Sequence, residues 1–360
     1  MLNYAENITI LAGQKAYVKI KEKGLHPQMV KVILGAAGGP KWLVLNFLDR
    51  ILFSSWFGDR NEPLYLLGSS IGAWRFSAVC QKDPLEAIDK FQYAYVHQYY
   101  DHKPSPEEIT NESLRIMHEF LYDRKIKEVL NHPYFRLNIM AVRSTWLTAS
   151  DHRLLLAPGL IGAFSLNAVN RSWLRFFFSR ALFFDSRSRP PFSFRDKFPV
   201  QKIQLNSNNF RQALLASGSI PLVMSGVKNI QGAKNGTYRD GGAIDYHMNI
   251  PVEDMDDGIV LFPHYMDRII PGWLDKKLSR RKPSQSDVEN VVLVAPSQKF
   301  VQRLPRQKIP DRNDFFHYAG KDKDRIAAWQ TVIEESKRFG EAFIDLVESG
   351  RIRDFVRPIP

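Results

Sequence analysis

A serine lies between two glycines directly after an apolar segment in the first quarter of the chain. Residues 64–67 read Leu-Tyr-Leu-Leu, and Gly68, Ser70 and Gly72 follow as Gly-x-Ser-x-Gly before a helix-compatible stretch. This order is typical of a nucleophile elbow, a tight strand-to-helix turn that exposes one serine oxygen at the helix N-terminus. We therefore expect Ser70 to be a nucleophile, whereas Ser69 should point away from the apex and pack.

An aspartate followed by two glycines is the candidate base for this serine. Asp240 precedes Gly241 and Gly242. A carboxylate on a rigid turn can accept the proton of a serine hydroxyl within hydrogen-bonding distance, and the glycines let the backbone bend closely beneath the elbow. The alternative, which the dipeptide alone favours, is an aspartate in an Asp-Gly hairpin turn.

A glycine-rich loop after the first strand-like segment could bind negative charge. Gly38 and Gly39 offer backbone N–H groups where a loop meets the N-terminus of a predicted helix, a favourable position for an oxyanion. Pro40 lacks an N–H group and instead restricts the loop. A nucleotide-phosphate loop or a simple tight turn is the alternative, but the glycine spacing matches neither Gly-x-Gly-x-x-Gly nor the P-loop.

Two histidines could extend the dyad to a Ser-Asp-His triad. The order Ser70, Asp240, His264 matches the order in α/β-hydrolases, and His264 directly follows a predicted strand. His247, close to Asp240 in sequence, is a second and weaker candidate. A triad with His264 would make the protein an esterase or thioesterase, although a lone histidine is more often structural.

Four motifs occur in an order that resembles the patatin-like phospholipase family. They are Gly-Gly-Pro-Lys at 38–41, the serine motif at 68–72, Ala-Ser-Gly-Ser-Ile-Pro at 216–221 and Asp-Gly-Gly at 240–242. The resemblance implies a three-layer α/β fold with a mostly parallel central sheet and helical insertions. It also implies a catalytic dyad of the serine and the aspartate named above.

The same resemblance implies an oxyanion hole formed by Gly38, Gly39 and Lys41. The family commonly has arginine where this chain has Lys41, and lysine keeps the charge without the planar fork. We expect Lys41 to steady the loop or to pair with a substrate phosphate. Ser219, in the segment 216–221, should pack near the active site.

The function implied by the resemblance is that of a serine lipid acyl hydrolase of the phospholipase A or lysophospholipase type. Ser70 would attack an ester carbonyl of a glycerophospholipid or related lipid, with Asp240 as base, and water would release the acyl-enzyme. No cofactor is expected. The alternative from another class is a lipid-surface binding protein that keeps the fold without turnover.

Short apolar segments alternate with longer helix-like stretches along the chain, which by itself favours a three-layer α/β architecture. Strands are predicted at 29–34, 64–67, 135–146, 259–262 and 291–294, and helices at 71–81, 84–100, 106–122 and 324–349. We expect one domain over 1–360, with a core at about 25–265, a helical and aromatic insertion at about 84–200, and a C-terminal extension at 266–360 that packs on the core.

Aromatic rings and arginines are interleaved in residues 171–198, called the aromatic tract below. One interpretation is an interfacial lid, in which the rings enter a lipid boundary and the arginines meet phosphates. The other is a buried cap whose rings belong to the core. Consecutive phenylalanines between 173 and 184 favour a helix with apolar surface on more than one stripe.

The net charge of +12 favours an anionic partner surface such as phospholipid headgroups, and no nucleic-acid-binding motif occurs. Cys80 is the only cysteine, so neither an intramolecular disulfide nor a cysteine-based zinc site can form. The spacing of Asp245 and His247 demands no metal. Residues 1–22 lack a secretory pattern, and we predict no transmembrane helix. We expect a cytoplasmic protein with peripheral membrane contact; export by a signal-independent route stays open.

Overall fold

The computed structural model describes residues 4–253, 255 and 258–360, and one central β-sheet organises them. The strand order is β11-β1-β10-β9-β2-β3-β4-β5-β6, and β8 pairs with both β4 and β7. The strands are β1 (Ile8–Ala12), β2 (Val30–Gly35), β3 (Leu64–Ser69), β4 (Phe135–Ser144), β5 (Phe178–Phe184), β6 (Val200–Gln204), β7 (Val227–Lys228), β8 (Thr237–Asp240), β9 (Ile259–Pro263), β10 (Val291–Pro296) and β11 (Arg357–Pro358).

The middle of the sheet is parallel. Strands β10, β9, β2, β3 and β4 are joined by parallel pairings. Their residues are mostly apolar and buried, as expected for strands that are covered on both faces. Antiparallel pairings join β1 to β10 and β4 to β5 and β8. The predicted α/β class with a mostly parallel central sheet is confirmed.

The helices flank this sheet, and the predicted ones correspond to α3, α4, α5 and α12. Capping side chains explain two of the starts, since Asp83 caps α4 and a Ser105–Glu108 capping box begins α5. No helix in the described ranges is long and apolar enough to cross a membrane. The helices are α1 (Gln14–Lys23), α2 (Asn46–Ile51), α3 (Ile71–Val79), α4 (Pro84–Val96), α5 (Pro106–Phe120), α6 (Asp123–Leu130), α7 (Arg153–Val169), α8 (Phe210–Gly218), α9 (Gln285–Val288), α10 (Gln298–Val301), α11 (Asn313–His317), α12 (Asp322–Glu348) and α13 (Ile352–Phe355).

The aromatic tract does not form the helix that its consecutive rings suggested. A short 3-10 helix, Arg171–Phe176, leads into strand β5, which pairs with β4 and β6. Phe178 and Phe183 are fully buried, whereas Phe176 is 53% exposed. The expectation of a helix was wrong because the rings between 178 and 184 are required by an interior strand, which local periodicity cannot distinguish from a helix.

Strands from outside the expected core of 25–265 complete the sheet. β1 lies between β10 and β11, and α12 packs against α2, where Gly340 lies close to Phe47 and Ile51. Residues 266–360 thus supply strands as well as a packing helix. Two sheet strands, β4 and β5, lie within the expected insertion at 84–200. The single-domain organisation stays a prediction.

Candidate active site

Ser70 occupies a strained turn between β3 and α3. Its backbone has φ 54° and ψ −130°, on the positive-φ side that residues other than glycine rarely adopt. Two glycines make room for the turn. A Cβ atom on Gly72 would lie 2.1 Å from the carbonyl oxygen of Gly35, and one on Gly68 would lie 2.5 Å from the backbone nitrogen of Ala73. This is the geometry of a nucleophile elbow.

The sheet brings Asp240 to this serine. β3 is parallel to β4 and ends with Ser69 opposite Met140, whereas β8 is antiparallel to β4 and ends with Asp240 opposite Ala141. The two strands therefore meet end to end along one edge of β4. Ser70 Oγ donates a hydrogen bond to Asp240 Oδ2 at 2.7 Å.

The carboxylate of Asp240 is buried and accepts a hydrogen bond on each oxygen. Oδ2 accepts from Ser70, and Oδ1 accepts from the Gly242 N–H at 2.7 Å. Burial raises the pKa of the Asp240 carboxyl, although the hydrogen bond from Ser70 and the charge of Arg312 oppose this. A raised pKa makes the carboxylate a stronger proton acceptor, which is what a general base requires.

The glycine loop lies at the same cavity as Ser70. Gly39 lines this cavity and has φ 56°, in the left-handed region that favours glycine. A Cβ atom on Gly38 would lie 2.8 Å from the ring of Tyr265. The Tyr265 hydroxyl donates a hydrogen bond to the Ala37 carbonyl at 2.5 Å and so fixes the backbone directly before the two glycines.

Lys41 contacts two tyrosines. It is not among the described residues that line the cavity containing Ser70. Its Nζ is 3.4 Å from the Tyr246 hydroxyl and 4.6 Å from the centroid of the Tyr265 ring. Burial alone would raise the pKa of Tyr246, but the positive charges of Lys41 and Lys276 lower it. The lysine charge therefore acts on the tyrosine pair next to the glycine loop.

His264 completes no triad within the described residues. Its Nδ1 lies 2.7 Å from the Met266 carbonyl oxygen, to which an Nδ1–H donates, and 3.1 Å from the Met266 nitrogen, and its buried Nε2 has no partner there. Burial lowers the pKa of His264 to about 3, so the imidazole is neutral at neutral pH. No described hydrogen bond joins His264 or His247 to Ser70 or Asp240. The triad arrangement considered from the sequence is therefore not formed.

His247 instead supports the glycine loop. Its Nδ1 accepts from the Ile270 N–H at 2.8 Å, which leaves the proton on Nε2. Nε2 donates to the Tyr265 hydroxyl at 2.8 Å, and that hydroxyl donates to Ala37. Burial lowers the pKa of His247 well below its ordinary value, so this chain of hydrogen bonds is uncharged.

Two serines of the segment 216–221 hold the dyad through the backbone. Ser217 Oγ accepts the N–H of Ser70 at 2.7 Å, and the Ser219 carbonyl accepts the N–H of Asp240 at 2.9 Å. We expected Ser219 to pack near the site, whereas no function was predicted for Ser217. The signal that could have found Ser217 is its place in the Ala-Ser-x-Ser pattern.

A mostly apolar cavity of about 610 Å³ contains Ser70 and is called the Ser70 cavity below. Its size and lining are those of small-molecule binding sites. No local sequence pattern predicts this cavity, because its walls come from segments that are far apart along the chain. They are the helices α3, α5 and α11 and the segment that follows α8. The apolar side chains are Ile71, Trp74, Ile109, Ile116, Ile220, Leu222, Val223, Met224, Phe315 and Phe316.

Arg312 is a further site residue that the sequence did not indicate, because it lies outside every motif. It directly precedes α11 and lines the Ser70 cavity. A Cβ atom on Gly39 would lie 3.5 Å from both Cγ and Nε of Arg312. Its charge opposes the effect of burial on the pKa of Asp240 and of Tyr265. Among the residues described, none forms a hydrogen bond or ion pair with its guanidinium.

The two residues weighed as metal ligands have other partners. Asp245 is bonded to Arg180 at 2.7 Å, and His247 is bonded to Tyr265. The described parts of the chain contain no group of three or more His, Cys, Asp or Glu side chains that could hold a metal ion.

Comparison with known families identifies the region that contains these motifs. A family model described as patatin-like phospholipase matches residues 38–256, which is more than half of the chain. The matched region begins at Gly38 and includes Ser70 and Asp240, whereas Arg312 lies beyond it. No curated protein matches the chain.

Proposed function

The chain belongs to the patatin-like phospholipase family, and on this premise we propose that it cleaves carboxylic ester bonds of glycerophospholipids or related lipids through a Ser70–Asp240 dyad. Family membership supports a lipid acyl hydrolase in general. One observation carries the proposal for the dyad, namely the 2.7 Å hydrogen bond from Ser70 Oγ to Asp240 Oδ2. It puts a buried carboxylate in position to take the hydroxyl proton during attack.

Acylation begins when Ser70 Oγ attacks the ester carbonyl carbon as its proton passes to Asp240. The carbonyl π electrons move to oxygen and give a tetrahedral oxyanion, which backbone N–H groups of Gly38 and Gly39 would stabilise. The intermediate then collapses, the bond from carbon to the leaving alcohol oxygen breaks, and that oxygen takes the proton from Asp240. The acyl group remains on Ser70.

Deacylation repeats these steps with water. Asp240 accepts a proton from the water molecule as its oxygen attacks the acyl-enzyme carbonyl carbon. The oxyanion collapses again, Ser70 Oγ leaves and recovers the proton, and the fatty acid is released. The same carboxylate thus acts as base and as acid in both halves of the reaction.

The Ser70 cavity supports a lipid as substrate. Its volume of about 610 Å³ and its aliphatic and aromatic walls suit an acyl chain that leaves water on binding. We include peripheral contact with a membrane surface in the proposal, since the net charge of +12 favours anionic headgroups. No cofactor enters any step.

Labelling with an alkyl fluorophosphonate tests the nucleophile. The probe should modify the peptide that contains residue 70, and Ser70→Ala should abolish labelling. Ser69→Ala is the matched control, because the buried Ser69 hydroxyl has no hydrogen-bond partner in the described ranges and its removal should leave labelling intact. Labelling of another serine, or undiminished labelling of Ser70→Ala, would contradict the assignment.

Fatty-acid release from a lipid panel tests the substrate class. Phosphatidylcholine, phosphatidylglycerol, lysophosphatidylcholine and triacylglycerol are compared with a soluble short-chain ester, each with wild type and Ser70→Ala. Release that depends on Ser70 supports the proposal. Lipid binding without labelling and without release would instead identify a lipid-surface binding protein.

A further inference from the structure

We propose that Arg312 binds the oxygen anion that the Ser70 cavity receives next to Gly39, an inference that rests on the proposed function. The anion is either the substrate's phosphodiester or the tetrahedral oxyanion formed on attack by Ser70. The phosphodiester presents two charged oxygens, to which a guanidinium can donate two parallel N–H groups, and the oxyanion presents one, to which it can donate a single charge-assisted hydrogen bond.

The surroundings of Arg312 support this role. The described residues give its guanidinium neither a hydrogen bond nor an ion pair, although it is partly buried and lies next to Gly39. A cation held near a cavity wall without a partner attracts an anionic group from solution, because the partly desolvated charge gains more from pairing than an exposed one. The structure thus offers a ready anion site beside the glycine loop.

The other charged residues that line the cavity do not compete for this role. Asp322 is bonded to Arg325 at 2.9 Å, and Asp101 and Lys103 are exposed. Lys41, for which the resemblance implies a place in the oxyanion hole, contacts Tyr246 and is not among the described residues that line the cavity. Arg312 is therefore the cation in the described cavity lining that lies beside the glycine loop.

An equilibrium experiment tests the anion site without any turnover. The affinity of Ser70→Ala protein for inorganic phosphate is measured by calorimetry, alone and with Arg312→Lys or Arg312→Met added. Arg312→Met should weaken binding about tenfold or more, and Arg312→Lys should weaken it less. Lys103→Met, which removes an exposed cation of the same cavity, is the matched control and should change little. Equal affinity in all four proteins, or no measurable phosphate binding, overturns the proposal even if hydrolysis is demonstrated.

Steady-state kinetics then separate the two sources of the anion. If Arg312 stabilises the oxyanion, Arg312→Met should lower kcat on a neutral short-chain ester and on phosphatidylglycerol alike. If it binds the phosphodiester, the change should be a raised KM confined to phosphatidylglycerol. Unchanged kcat and KM on both substrates overturn the role in the reaction.

A second inference rests on an independent observation, the outer face of α7. Leu154, Ile161 and Val169 are 77%, 66% and 69% exposed, and Trp146, shortly before the helix, is 83% exposed. After Arg153 the helix contains no charged residue. An apolar surface of this kind marks a contact site in a folded protein.

The charge around α7 indicates what covers this face. Residues 152–184 contain no aspartate or glutamate, and of their four arginines Arg171 and Arg180 pair with aspartates whereas Arg153 is exposed. Arg153 begins the helix, and Arg280 and Arg281 bond to backbone carbonyls near its end. An apolar helix face with Leu and Trp, flanked by cations, is the pattern of an element that lies in a lipid interface.

We infer that the exposed face of α7 docks on an anionic phospholipid bilayer, an inference that rests on the lipid substrate proposed above. The face is connected to the Ser70 cavity. Leu222 lines the cavity. Four residues later, the Gly226 N–H donates a hydrogen bond of 2.9 Å to the side chain of Asp151, which lies two residues before α7. Docking through α7 would therefore hold the cavity wall next to the membrane.

Vesicle binding of the Ser70→Ala protein tests this surface independently of catalysis. Phosphatidylcholine vesicles containing phosphatidylglycerol are compared with vesicles of phosphatidylcholine alone. The double variant Leu154→Ser with Ile161→Ser should bind the anionic vesicles about tenfold more weakly, because two exposed apolar anchors are lost. Val18→Ser, on the exposed side of α1, is the matched control.

Three outcomes would overturn the docking surface. The first is equal vesicle binding by the double variant and the control, and the second is equal binding to both kinds of vesicle. The third is a wild-type dimer that the double variant dissociates and that binds no vesicles, which would assign the face to a second copy of the chain. The same double substitution made in protein that retains Ser70 should hydrolyse a soluble ester at the wild-type rate, which excludes misfolding as the cause of weaker binding.

Discussion

At the scale of single residues, the proposed catalytic pair Ser70 and Asp240 has two energetically unfavourable features. Ser70 adopts a positive φ, and Asp240 is a buried carboxyl whose pKa is raised by burial. Such features persist where the surrounding contacts fix them, and they are common at functional sites. Here the contacts are Ser217 on the Ser70 N–H and Gly242 on the Asp240 carboxylate. Activity and stability should therefore respond in opposite directions at Asp240.

Asp240→Asn should lower hydrolysis by about 100-fold to 10,000-fold, because the amide cannot take the hydroxyl proton. It should also raise the melting temperature at neutral pH. A folded-state pKa above the unfolded value means that the fold favours the neutral carboxyl, and this contribution is lost as pH rises through the folded pKa. Melting curves at neutral pH and at a pH below 3.8 check the sign, since the advantage of asparagine should disappear in acid.

His264→Gln is the control for this pair of measurements. It replaces a neutral, fully buried ring that has no hydrogen bond to the dyad, so turnover should change little even where stability falls. In wild type, activity should be lost as pH falls through a pKa above the ordinary aspartate value of 3.8. A loss of turnover in His264→Gln equal to that in Asp240→Asn would assign the base to the histidine.

Lys41→Met should raise the pKa of Tyr246, because it removes one of the two charges that lower it. Turnover should fall as well, since Tyr246 and Tyr265 lie next to the glycine loop, and Lys41→Arg should be tolerated better. A difference titration of tyrosine absorbance between wild type and Lys41→Met measures the pKa, and ester hydrolysis measures the turnover. Equal turnover of wild type, Lys41→Arg and Lys41→Met would show that the charge has no role.

At the scale of elements, the site depends on close approaches between the backbones of neighbouring strands and helices. β2 and α3 touch where Gly72 faces the carbonyl of Gly35, and β3 and β8 meet end to end on β4. The glycines of the serine motif are thus packing requirements as well as turn requirements. Gly39 differs, because a Cβ atom there would make only ordinary van der Waals contacts. Its positive φ, rather than a lack of space, is what favours glycine at this position.

Gly72→Ala and Gly39→Ala should therefore fail in different ways. Gly72→Ala forces a Cβ atom onto the Gly35 carbonyl and should prevent folding or lower the melting temperature strongly. Gly39→Ala should cost only about 1 to 2 kcal/mol of backbone strain and leave a folded protein with reduced turnover. Denaturant melts of both variants provide the comparison. A stable, active Gly72→Ala protein would contradict the close approach of β2 and α3.

The elements that the sequence predicted well are those with strong local signals. Buried apolar segments predicted β2, β3, β4, β9 and β10, and periodic stretches with charged faces predicted α4, α5 and α12. The aromatic tract was misread, because strand β5 is defined by its neighbours β4 and β6 rather than by its own periodicity. Motif order predicted the Ser70–Asp240 pair, but it could not show that Ser217 would bind the Ser70 N–H.

At the scale of the whole molecule, the Ser70 cavity is assembled from segments that no local pattern connects. α5 and α11 both contribute to its lining although they are far apart in sequence. The position of Arg312 at the cavity could not be predicted from the sequence either, because a single arginine in a charged stretch belongs to no motif. Motifs can therefore predict the reacting groups of such a site, whereas its walls and its charge require the tertiary fold.

A bulky side chain in the cavity wall should shift the preferred acyl length. Val223 lines the cavity and is partly buried, so Val223→Trp should fill space that an acyl chain would occupy. We expect kcat/KM for long-chain esters to fall about tenfold or more, with little change for a butyrate ester. Leu114→Trp, at a half-exposed position of α5 outside the cavity lining, is the control. An equal loss for short and long chains would place the acyl chain elsewhere.

The position of β1 between β10 and β11 has a consequence for synthesis. Ile8 pairs with Pro296, so β1 leaves the ribosome long before its partner strand β10 has been made. Until then β9 presents an open parallel edge, which other chains can pair with. We expect nascent chains that stop before β10 to aggregate or to bind holding chaperones, although they already contain both Ser70 and Asp240. Synthesis thus delays the closing of the sheet on the side of β9, whereas Ser70 and Asp240 are made earlier.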